Sequence, residues 1–127
     1  MIRFKNILYK VAIIESNFIT GDRIYNPVML KEEDQFIYSE FEKILDEKNI
    51  LGKYIGDPKI HYGDNRTELK VGENFMVWTN AFQSRRTTDV LEIFTPNLFT
   101  TKNSLYFIKD EAFQIQMQRV DKLNQIL

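Results

Sequence analysis

From residue 59 onward the chain breaks into short apolar runs, "KIHY", "TELKV", "NFMVWTNAF", "TDVLEIF", "SLYFI" and "AFQIQMQRV". They are separated by Gly63-Asp64-Asn65, Gly72-Glu73-Asn74, Gln83 to Arg86, Pro96 to Asn103 and Lys109 to Glu111. Runs of this length with β-branched and aromatic residues, joined by short polar connections, predict consecutive strands of an antiparallel meander. This constrains the fold most, because such strands must curl over a common core to hide their apolar faces.

The N-terminal segment carries the same period. Ile7, Tyr9, Val11 and Ile13 alternate with Leu8, Lys10, Ala12 and Ile14, which predicts a strand over residues 3 to 14 with one apolar face. Gly21-Asp22 between Phe18-Ile19 and Ile24-Tyr25 marks a turn, and Pro27 closes that unit. Residues 31 to 48, "KEEDQFIYSEFEKILDEK", show a helical period, with Ile37, Phe41, Ile44 and Leu45 on one face and acids crowding the first turn. Gly52 and the Gly56-Asp57-Pro58 stretch end that unit. The expected fold is α+β: an antiparallel curled sheet or partial barrel, a meander of about six to eight strands, with one main helix at 31 to 48 packed on it.

At 127 residues, with 43% hydrophobic and 13% aromatic side chains, the chain has enough apolar surface for one core, so residues 1 to 127 are read as a single domain. The net charge of −1 gives no general attraction for nucleic acid or an anionic membrane, and any such binding must be local. Without cysteine there are no disulfides, thiolate chemistry or cysteine-ligated metal sites. The opening "MIRFKNILYKVAII" reads as a strand and not a signal peptide, since Lys10 interrupts the apolar run and no small-residue cleavage site follows. No stretch approaches the roughly 20 apolar residues of a membrane span, so no membrane partner is expected and the cytoplasm of the producing or host cell is the default location. A composition of 15 Ile, 11 Lys and 10 Asn against 3 Ala and 3 Pro is typical of AT-rich coding DNA and suits a low-GC bacterium or its phage.

Arg85 and Arg86 are adjacent cations in a polar stretch that reads as a hairpin tip. Their guanidinium groups, with the Thr87 or Thr88 hydroxyl, fit a phosphate, a carboxylate or an acidic partner. His61, the single histidine, lies between Asp57 and Asp64 in sequence, which is the raw material of a general base, but no nucleophile signature accompanies it. Residues 31 to 48 hold 7 acids against 3 lysines, leaving the rest of the chain net positive. In "FMVWTNAF", Phe75 and Val77 fall on one face and Met76, Trp78 and Phe82 on the other, the pattern of a strand buried on both sides or of one whose second face meets a ligand or another chain.

"AFQIQMQRV" is read as an edge strand with Phe113, Ile115 and Met117 inward and Gln114, Gln116 and Gln118 outward, followed by Val120, Leu123 and Leu127 at helical spacing. These six apolar residues form the expected assembly interface. No phosphate loop, dinucleotide fingerprint, catalytic carboxylate pair or metal-ligand spacing occurs, and no catalytic residue, cofactor or metal is assigned. The expected function is a non-enzymatic interaction or assembly protein of phage or mobile-element type, a virion component or a host-defence inhibitor. It would pair with itself or a larger complex through its C-terminal strand and tail, the arginine loop of one copy meeting the acidic helix of another. A small nucleotide- or nucleic-acid-binding module built on Arg85 and Arg86 is the alternative.

Overall fold

The computed structural model describes residues 5–80 and 82–126, with side chains for 5–79 and 82–119. Among the described residues, two sheets and two α-helices make up the fold. The larger sheet contains β1 (Asn6–Ser16), β2 (Arg23–Pro27), β3 (Asn49–Leu51), β4 (Ile60–Gly63), β8 (Glu92–Thr95), β9 (Leu98–Thr100) and β10 (Ser104–Lys109). Its order is β3-β2-β1-β10-β9-β8, and β4 also pairs with β1. The smaller sheet runs β5 (Asn65–Arg66), β6 (Asn74–Asn80) and β7 (Gln83–Asp89). Helix α1 (Phe36–Glu42) lies between β2 and β3 in sequence, and α2 (Glu111–Ile126) follows β10.

The α+β class and the curled sheet agree with the sequence reading, but the sheet is mixed. β2 and β3 are parallel, and Val28 bridges Ile55 in the same sense. The reason is topological: a parallel pair needs a crossover, and the segment containing α1 provides it.

β1 organises the large sheet. Its first half pairs with β4 and its second half with β2, while β10 runs along the opposite edge. A bulge between Lys10 and Ala12 inserts Val11 against β10, so the alternation changes phase. Tyr9, Val11, Ala12 and Ile14 thus all join the core on the α1 side, and Ile13, expected to be inward, is 38% exposed.

The large sheet is covered on both faces. On one, the β1 residues meet Tyr25, Leu105, Phe107 and the α1 residues Ile37 and Phe41. On the other, Leu8, Phe99, Tyr106 and Ile108 pack against Phe75 and Val77 of the small sheet. The chain passes between sheets at Gly63, where a Cβ would lie 2.8 Å from the Trp78 carbonyl oxygen and 2.9 Å from the Val77 Cβ. Only glycine lets β4 and β6 approach this closely.

The helix expected over 31 to 48 packs on the sheet as anticipated but is shorter. A 3-10 turn, Glu32–Asp34, precedes α1, and short-range Ile44 N–H to Phe41 and Leu45 N–H to Glu42 bonds follow it. Asp46 then accepts the Lys48 and Asn49 amides on its carboxylate, a local turn that competes with helix and launches β3. Asp34 is buried and faces the sheet: it accepts a hydrogen bond from the Tyr9 hydroxyl at 3.3 Å and from Lys109 Nζ at 3.0 Å.

The strand expected at "AFQIQMQRV" is instead the first half of α2. Its odd-even alternation hides a second spacing, Phe113 to Met117 to Val120, which is helical. Gln, Met and Ala favour helix, and Asp110 supplies the N-cap by accepting the Phe113 amide at 2.9 Å.

Candidate functional site

Arg85 and Arg86 lie within β7 rather than at the tip of the hairpin. Arg85 is opposite Val77 and Arg86 opposite Met76. Directly paired residues of an antiparallel ladder share a face, and neighbours alternate. Arg85 therefore stands on the inward side with buried Val77, and Arg86 on the outer side with half-buried Met76. The two guanidinium groups address different surfaces and do not form one fork. Thr87 is buried: its hydroxyl oxygen accepts the Phe75 amide at 3.1 Å, and its proton goes to the Thr88 carbonyl at 2.6 Å. It braces the β6–β7 ladder and is unavailable to a ligand. β7 is an edge strand, which explains why exposed polar residues occupy it and why it resembles a loop in sequence.

His61 pairs with Leu8 across β4 and β1, so it stands on the side of the large sheet that faces the small one. Lys10 is opposite Tyr106 on the same side, with its Nζ 5.8 Å from the centre of that ring. The Lys10 amide donates to the Lys59 carbonyl at 3.1 Å, which continues the β1–β4 register and sets Lys59 beside Lys10. Burial first, then Arg85, Lys10 and Lys59, hold the His61 imidazole below its ordinary pKa. Burial and Lys59 likewise lower the Lys10 ammonium. The flanking Asp57 and Asp64, adjacent in sequence, are absent from the groups acting on His61.

Four basic side chains from β1, the β4 strand with its approach, and β7 thus gather at the rim of the space between the sheets. Two of them, Lys10 and Lys59, were not singled out in the sequence. The available signal was Lys10 itself, a cation in the middle of an apolar strand.

Five of the six expected assembly residues fall on α2. Phe113 stacks on Phe36 with ring centres 5.7 Å apart and meets Phe107 edge-on at 5.3 Å, joining α2 to α1 and β10. Gln114 Nε2 donates to the carbonyls of Lys5, Lys109 and Asp110. Arg66 reaches Asp110 at 3.4 Å beside a cleft of about 450 Å³ that Ile115 also lines. Ile115 and Met117 are half-buried. Val120 and Leu123 belong to α2 with side chains outside those described, and Leu127 lies outside the described residues.

Among the described residues, no three His, Asp or Glu side chains gather as a metal site, and no helix is long and apolar enough to cross a membrane. No protein-family model, curated protein or solved structure matches the chain.

Proposed function

We propose that this is a non-enzymatic interaction protein that assembles with a second copy of itself through α2. The supporting observation is how α2 is attached. The ring contacts and hydrogen bonds found between α2 and the body among the described residues are made in its first turn, by Phe113 and Gln114. Beyond that turn the sequence keeps an apolar seven-residue spacing, Phe113, Val120 and Leu127, with Leu123 between. Such spacing suits a helix that packs on another helix. The charged residues of α2, Glu111, Arg119, Asp121 and Lys122, cancel, and its remaining polar positions are mostly neutral amides, so two copies meet without net repulsion. An acidic segment at 31 to 48 and an exposed cation on the outer face of β7, Arg86, offer a second, complementary contact between copies.

The reading places the protein in the cytoplasm of the producing or host cell or in a virion, and the AT-rich composition favours a phage or mobile-element source. Light scattering coupled to size-exclusion chromatography is the test. The full chain is expected to run as a dimer or larger species, and Leu123→Asp as a monomer that keeps the parent's circular dichroism and melts at a temperature independent of protein concentration. A monomeric full chain would sink the proposal.

A further inference from the structure

We propose that the rim formed by Lys10, Lys59, His61 and Arg85 is a binding site for phosphate groups, carried either by a nucleotide or by a nucleic-acid backbone. The site is independent of α2 and of the assembly described above.

The first support is the contrast with two of the three other partly buried cations of the fold; the third, Arg23, lies over the Tyr25 ring without an ion pair. Lys109, with a side chain 22% exposed, has Asp34 at 3.0 Å, and Arg66, 30% exposed, has Asp110 at 3.4 Å. A cation drawn out of bulk water is normally matched by an anion in this way. Lys10 is half-buried, and among the described residues it has an aromatic ring and another lysine for company, with no carboxylate in ion-pair range. Lys59, His61 and Arg85 form no ion pair among the described residues either.

The second support is convergence from separate strands. Lys10 and Lys59 are fixed side by side by the β1–β4 register, His61 is two residues further along the same strand direction, and Arg85 comes from the small sheet. The three groups that depress the His61 imidazole besides burial are these same cations. Like charges brought together by a rigid scaffold repel one another in the free protein. A multiply charged anion would turn that repulsion into attraction, and lysine, arginine and protonated histidine are the donors phosphate oxygens accept from. Tyr106 is 9% exposed beneath Lys10, so its ring is not a stacking platform, and recognition rests on phosphate and not on a base.

Calorimetric titration of the full chain at low salt with tripolyphosphate, a nucleoside triphosphate and a short single-stranded oligonucleotide tests the site. Saturable binding of at least one is expected, weakening steeply as salt is added. Equal affinity for tripolyphosphate and the nucleoside triphosphate would identify free phosphate groups as the determinant; tighter oligonucleotide binding would identify a phosphodiester backbone. Arg85→Gln and Lys59→Gln, both at exposed positions, should each weaken binding about tenfold, the loss of one charge-assisted contact. Arg86→Gln, on the opposite face, should leave it unchanged. Lys10→Met keeps the stem over Tyr106 and should raise the melting temperature of the free protein while weakening binding. No saturable binding of any probe, or equal losses from Arg85→Gln and Arg86→Gln, overturns the proposal. So does a lower melting temperature for Lys10→Met.

Discussion

His61 has Lys10, Lys59 and Arg85 around it, and burial and those cations push its pKa below the ordinary histidine value. The consequence for stability has a definite sign. A group whose pKa is lower in the folded state binds fewer protons there than in the unfolded chain, so stability rises with pH through the histidine range and is lost as pH falls. Denaturant midpoints measured from about pH 8 down to about pH 5 should decline across the histidine range. His61→Gln should flatten that decline, and an unchanged slope would show that other groups cause it. The residue also marks a boundary of what sequence can supply. That His61 is the sole candidate for imidazole chemistry is plain from composition. That its neighbours are cations and not Asp57 and Asp64 depends on which strands lie beside β4, and no local pattern encodes that.

At the level of elements, β4, β6 and β10 were legible from their short apolar runs, whereas "TELKV" forms no strand and β5 and β9 lie in stretches read as connections. Three other misreadings have separate physical causes. "AFQIQMQRV" satisfies both periods over its first six residues, and the deciding information is Asp110 just ahead of it, an N-cap in place of a turn. The β1 bulge at Val11 is invisible to a counting rule that assumes unbroken alternation. The first half of β7, Gln83 to Arg86, reads as a loop because an edge strand need not be apolar. Phe113 is the residue through which α2 gains its place, so Phe113→Ala tests the attachment directly. Loss of a half-buried aromatic wedged between Phe36 and Phe107 should cost about 2–3 kcal/mol, somewhat less than a fully buried phenylalanine. Chemical denaturation should register this, together with a drop in helical circular dichroism as α2 loosens; retention of full stability would mean the helix is held elsewhere.

Across the whole molecule, two cores share one sheet, and Gly63 is where the chain commits from one layer to the other. Gly63→Ala places a methyl against the Trp78 carbonyl and the Val77 side chain, and the overpacking should cost roughly 1–3 kcal/mol. Gly21, whose missing side chain has open space around it, provides the contrast: alanine there meets no neighbouring atom and suffers only from its backbone angle of +78°. A midpoint for Gly63→Ala equal to that of the parent protein would mean that the layers can slide apart to admit a methyl group. The placement of β1 carries a further consequence. Its neighbour on one side is β10, and Leu8 is matched to Ile108. During synthesis, the centre of the large sheet cannot close until nearly all the intervening chain has left the ribosome. The Leu8 side of β1, whose partners Phe75, Val77, Phe99, Tyr106 and Ile108 all come later, must wait uncovered, so this layer completes itself only after β10 has been made.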